Sequence, residues 1–169
     1  FTSAFTHKIR EERGWSYFAF SEFRRNRRHP ISFILHTAPA IGDLLDCLTL
    51  ELDLYRGLGR ADLEVSEVER ARTYLLNRYP LTIATAPDLM GPAYLMEMLG
   101  RPISDIFALP QRLEDLDVAR VPDLMARYLR PDDVLVVMVA TASEVVPQLK
   151  QRFPDVAIDV VGFRDGLQA

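Results

Sequence analysis

Apolar positions recur along this chain in two rhythms, and each rhythm marks a different kind of element. From Ser3 to Arg13 the four-residue spacing of Phe5 and Ile9 predicts a helix, with Ser3 as its cap and Gly14 as its stop. The segment Trp15–Phe23 changes to alternation, Phe18 and Phe20 interleaving with Tyr17 and Ala19, which is strand chemistry. The polar run Arg24–Pro30 interrupts it, and Ile31–Thr37 resumes extended character, so the pair predicts a β-hairpin with a basic tip. Pro39 then opens a helix whose Ile41, Leu44, Leu45, Leu48, Leu52 and Tyr55 form one apolar stripe, closed by Gly57 and Gly59.

The helical rhythm persists beyond that point. Ser66 with Glu69 reads as a capping box heading a helix that carries Val68, Ala71 and Leu75 towards Tyr79, and Pro80 ends or bends it. A further helix is expected over Asp88–Leu99, stopping at Gly100 and Pro102. After a short irregular piece, Val121–Leu129 reads as a helix with Pro122 in its first turn. Val134–Ala140 is a continuous, β-branched run, which predicts a strand buried on both faces. Ser143–Phe153 predicts a last helix, and Val156–Val161 a last short strand.

Hairpin strands mixed with segregated helices predict an α+β, two-layer domain rather than a doubly wound parallel sheet. With 169 residues, 49% of them apolar, the chain can bury one sizeable core, so residues 1–169 are expected to form a single domain. The predicted strands are too few to cover the predicted amphipathic helices. A partner strand or more is therefore expected from an upstream segment, and the opening residue, Phe1, fits a fragment or a processed product.

Charge and chemistry narrow the function classes. A net charge of −4 and a pI near 5.4 argue against a nucleic-acid surface, although Arg24–Arg28 is a local basic cluster. A solvated hairpin tip accounts for that cluster. No apolar run approaches the roughly 20 residues that cross a bilayer, so no membrane span is expected. The one cysteine, Cys47, excludes an internal disulfide and a cysteine-based zinc cage, and among Leu44, Leu45 and Leu48 it reads as a buried thiol. None of His7, His29 and His36 belongs to a His-x-x-x-His or His-x-x-Glu-His pattern, so this chain is expected to hold no metal and no other cofactor. His7 reads as a surface histidine. A nucleophile elbow and a phosphate-binding loop are also missing from the sequence.

One stretch is distinctive: Ile9-Arg10-Glu11-Glu12-Arg13-Gly14-Trp15-Ser16-Tyr17, preceded by Phe1-Thr2-Ser3. It resembles the segment that opens after the glycine-rich turn in the C-terminal, non-catalytic domain of pitrilysin-type (M16) zinc peptidases, where a helix ending in Arg-Glu and Gly passes into a strand beginning near Tyr. The hairpin, the long helix Ile41–Tyr55, the Ser66–Ala71 segment, the Pro80-Leu81 break and the run Leu129–Leu135 fall where that family has equivalents.

The resemblance implies a LuxS/MPP-like domain, a mostly antiparallel sheet covered by helices on one face. It implies a clamshell in which another domain or subunit supplies His-x-x-Glu-His and its zinc. This chain would supply Arg10 and Tyr17, seven residues apart, to contact the carbonyl groups of an unfolded peptide substrate. Trp15-Ser16-Tyr17 is closer to the variant of non-catalytic partner subunits than to Leu-Ala-Tyr. An assembly or scaffold protein that has kept the fold without a peptidase role is the alternative. Homo-oligomerisation is compatible with either, and exported bacterial relatives point to the periplasm.

The residues supply a bland account as well. Arg10 can simply pair with Glu11 or Glu12, and Tyr17 can be a half-buried strand aromatic.

Overall fold

The computed structural model describes residues 4–24, 31–163 and 165. The chain opens with an α-helical turn, α1 (Ala4–Thr6), that continues as a π-helix over His7–Glu12. The hairpin follows as β1 (Ala19–Arg24) and β2 (Ser32–Thr37), a two-stranded antiparallel sheet. Its register shows in two ring pairs, Phe20 stacked on His36 at 4.6 Å and Phe23 tilted against Phe33 at 4.8 Å. The remaining helices are α2 (Leu44–Gly59), α3 (Val65–Thr82), α4 (Ala86–Met98), α5 (Leu109–Glu114), α6 (Val121–Tyr128) and α7 (Ala142–Arg152). Short 3₁₀ turns stand at Ile103–Ile106 and Val118–Arg120. The protein is thus α+β, and among the described residues its sheet has two strands.

Two compact units make up the chain. One comprises Phe1–Ser21, Leu35–Asp53 and Val134–Ala169, the other Glu22–Ile34 and Leu54–Asp133. In the first, Phe5, Ile9, Ala19, Leu44, Cys47, Leu48 and Val145 are buried, with Ile9 at 0% exposure. α7 is fastened by Arg152, which donates to the Asp46 carboxylate at 2.8 Å. In the second, Val68, Met96 and Ile106 are buried, and α3 packs against α5 and α6. The Tyr79 hydroxyl donates to the Ile106 carbonyl at 3.0 Å, and Arg72 pairs with Glu69 at 2.6 Å. Gly59 is required by a close approach: a Cβ there would collide with the Pro131 ring.

Several boundaries differ from those the sequence suggests. The strand expected from Trp15 begins only at Ala19, because the Ser16 hydroxyl bends the preceding backbone by donating to the Phe18 carbonyl at 2.6 Å. Arg24 belongs to β1 and pairs with Glu22 at 2.9 Å; the rest of the expected basic tip, with His29, lies outside the described residues, as does Ser3. The helix expected from Pro39 starts at Leu44, after a turn in which the Asp43 N–H donates to the Ala40 carbonyl at 3.0 Å.

The cap of α3 is Glu64, not Ser66: Glu67 accepts the Glu64 N–H at 3.3 Å, which places Ser66 inside the first turn. α3 runs through Pro80 to Thr82, and α4 starts at Ala86 because Thr85 and Asp88 cap each other's backbone N–H at 3.4 and 3.1 Å. The largest difference is in the C-terminal third. Neither Val134–Ala140 nor Val156–Val161 joins the sheet, and the run expected to be buried on both faces is exposed, with Leu135 at 87% and Val139 at 100%. A strand is buried on both faces only where other strands and a second layer meet it, and among the described residues none does.

Candidate functional site

The site grows from the way the first helix ends. Gly14 adopts φ +67°, a left-handed conformation that carries no penalty for glycine. Its N–H donates to the Arg10 carbonyl, and the Trp15 N–H reaches back to the Ile9 carbonyl, each at 3.1 Å. The second bond spans one residue more than the usual helix-terminating motif, as a π-helical ladder requires. The chain therefore reverses sharply after Arg13 and returns alongside the helix it has just left.

Two buried hydroxyls hold the return. Thr6 donates to the Ala19 carbonyl at 2.7 Å, tying the first helix to the head of β1. Ser16, besides its bond to Phe18, accepts the Ala38 N–H at 2.8 Å, tying the loop to the end of β2. Buried polar groups satisfied in this way fix the backbone on either side of them.

The consequence is that Arg10 and Tyr17 meet. The Arg10 guanidinium carbon lies over the Tyr17 ring, 4.4 Å from its centroid. Both side chains line a hollow of about 230 Å³ with Thr6, Phe18, Ala19 and Phe20. Arg10 is largely covered and also pairs with Glu11 at 3.4 Å, whereas Tyr17 is 71% exposed. Tyr17 therefore presents its phenol to solvent from the loop before β1, not from a half-buried position in the strand. Phe18 packs edge-on against it at 5.3 Å between centroids.

The hollow is apolar on its Phe18, Ala19 and Phe20 side and polar where Arg10, Tyr17 and Thr6 meet it. It offers a rigid fork of donors, one phenolic donor and an aromatic wall, which suits an extended peptide with its carbonyl groups and side chains. Sequence reading picked out Arg10 and Tyr17 and overlooked Thr6, Phe18 and Phe20 as walls.

The other candidate groups are not among its lining residues. His7 is exposed and pairs with Glu12 at 3.8 Å, and His36 stacks on Phe20. Among the described residues no three His, Cys, Asp or Glu side chains gather in a way that could hold a metal ion. Among them also, no helix is long and apolar enough to cross a membrane. Cys47 is buried beside Glu51, Sγ to Oε1 3.7 Å, on successive turns of α2. Burial and the neighbouring Glu51 push its thiol up to about 11, and burial raises the Glu51 carboxyl as well, against the hydrogen bonds from Thr37 and Cys47. A thiol so placed stays protonated and inert.

No family model matches the chain, and neither does any curated protein or solved structure.

Proposed function

We propose that this chain is the non-catalytic half of a pitrilysin-type zinc peptidase, with a LuxS/MPP-like domain, completing a site whose metal is held by another domain or subunit. The observation that carries the reading is the stack of Arg10 on Tyr17 at the rim of one hollow, within the Ile9–Tyr17 stretch that resembles the family. When bound by the other half's His-x-x-Glu-His, zinc would supply Lewis-acid polarisation of the scissile carbonyl and an activated water.

Everything else falls to this chain's own side chains. The guanidinium over the ring face restrains the phenol by a cation–π contact and by simple packing. Tyr17 then donates its O–H to the carbonyl oxygen as negative charge grows there, a contact of the kind that is commonly worth ~10²–10³ in rate. Arg10 fixes the neighbouring carbonyl groups with its guanidinium fork. Phe18 and Phe20 give an apolar wall against which a substrate side chain is desolvated. The substrate is an unfolded peptide, since only an extended chain brings bare carbonyl groups to both residues.

The test is Tyr17→Phe in the enzyme reconstituted with its His-x-x-Glu-His half. Turnover is expected to fall at least about tenfold while the two halves still co-purify, because the ring, its stacking and its packing are kept. Unchanged turnover removes Tyr17 from the mechanism. A His-x-x-Glu-His motif in the upstream polypeptide or a neighbouring reading frame identifies the half to use.

A further inference from the structure

Phe20 faces His36 and Phe23 faces Phe33 across the hairpin, a register that places Phe18 opposite Ala38. One more rung of the ladder is expected there, and strand alternation would put Tyr17 in the row of Ala19, which is buried at 5% exposure. Neither happens. The Ala38 N–H donates to the Ser16 Oγ at 2.8 Å, and that hydroxyl donates to the Phe18 carbonyl at 2.6 Å. Ser16, itself 3% exposed, stands between the two backbone groups that would otherwise bond each other.

We propose that Ser16 is the positioning residue of the Arg10–Tyr17 site, its hydroxyl a wedge that stops the sheet one rung short and turns the Tyr17 phenol out. The inference rests on the peptidase reading for its consequence in turnover, not for its geometry. A hydroxyl suits the task because it donates and accepts at once, so the N–H and the carbonyl it separates are both satisfied. The backbone bends at Tyr17, the residue enclosed between Ser16 and Phe18. Its ring consequently leaves the buried row, stands 71% exposed and lies beneath the Arg10 guanidinium at 4.4 Å. Gly14 returns the chain to this place, and the wedge chooses which way Tyr17 then faces.

The state without the hydroxyl is well defined. In Ser16→Ala the Ala38 N–H bonds the Phe18 carbonyl directly, the strand gains a rung, and Tyr17 takes the row of Ala19. No backbone group is orphaned by the change, so the fold is expected to survive while the phenol turns away from Arg10.

Acetylation by N-acetylimidazole, mapped by peptide mass spectrometry, compares Tyr17 with Tyr128, which is equally exposed at 71%. In the full chain carrying Ser16→Ala, Tyr17 is expected to react at least about threefold more slowly relative to Tyr128. The Ala38 amide, followed by hydrogen exchange, is expected to stay protected in both proteins, because its bond passes from the Ser16 Oγ to the Phe18 carbonyl. An unchanged Tyr17 rate overturns the proposal, and so does an Ala38 amide that exchanges freely in the wild type, whatever the variant does. An amide freed only in Ser16→Ala means a loosened loop in place of an added rung, and overturns it too. In the enzyme reconstituted with its His-x-x-Glu-His half, Ser16→Ala is expected to lower kcat about tenfold with KM little changed, and to cost nothing further in a Tyr17→Phe background. An equal loss in both backgrounds leaves Ser16 a purely structural role and overturns the proposal. Turnover indifferent to Tyr17→Phe, with the Tyr17 rate still falling in Ser16→Ala, sinks the peptidase reading and upholds the wedge.

Discussion

Two apolar regions of the same compact unit meet opposite fates. Around the first helix and the start of α2, modest side chains such as Ile9, Ala19 and Cys47 are sealed, and the polar groups among them are satisfied by Thr6 and Ser16. In Val134–Ala140 a more hydrophobic sequence lies bare. The difference is not one of residue type. The first region closes on itself because Gly14 reverses the chain and two hydroxyls pin the returning strand, so its apolar groups are enclosed. The second has only its own row of residues. Hydrophobicity states which side chains gain from leaving water; the supply of a matching backbone edge decides whether they do.

The comparison breaks most visibly at Ile9. Truncation to alanine there removes a fully enclosed side chain and leaves a cavity beneath the turn that carries Arg10. Ile9→Ala is expected to cost about 2–5 kcal/mol, read as a lower urea midpoint with an unchanged slope. A cost near zero would mean that the sealed region is no better packed than the bare one.

This contrast also explains what could be read from the sequence. Local rules held where the cause was local: Gly14 and Gly100 both stop helices in the left-handed conformation, and Pro122 sits in the first turn of α6. They slipped where two local solutions competed. Glu64 with Glu67 and Ser66 with Glu69 are equally spaced, and only the direction of the entering chain chose between them. They failed for Val134–Ala140, whose alternating exposure is strand-like but whose place in a sheet depends on distant residues.

The site divides in the same way. Arg10 and Tyr17 were legible as a spacing across a glycine turn. The enclosing roles of Thr6, Phe18 and Phe20 were not, because Ala19 rather than either phenylalanine turned out to fill the buried side of β1. Glu51 was visible four residues after Cys47 on an apolar stripe, a position where a carboxylate is costly, and its significance appeared only with Thr37 beside it.

Glu51 sharpens the comparison from within the sealed region, where closure also traps an ionisable group. Burial raises its pKa above the unfolded value, so the protonated form is favoured in the fold. The sign is therefore the reverse of a salt-bridged acid: the contribution to stability is full below the unfolded pKa and is lost as pH rises through the raised folded value. Thermal unfolding followed from acidic to neutral pH should show Glu51→Gln gaining on the wild type across that window and levelling off above it. The gain is expected to be smaller than the loss at Ile9, because part of the carboxylate still meets water and Thr37 and Cys47 hydrogen-bond to it. Parallel pH profiles for the two proteins would mean that Glu51 is solvated in the fold as it is in the unfolded chain.

The smallest effect belongs to the bare region. Val139 is completely exposed, so Val139→Ser removes two methyl groups that water already surrounds in the folded monomer. The change is expected to move the stability of the monomer by no more than about 0.5 kcal/mol, measured by urea unfolding at a concentration below any self-association. The same substitution deep in a core is far costlier, since it deletes a packed volume and adds a hydroxyl in need of a partner. A loss above about 1 kcal/mol in the dilute monomer would mean that the run folds back onto its own unit and is sealed like Ile9, and the contrast between the two regions would disappear.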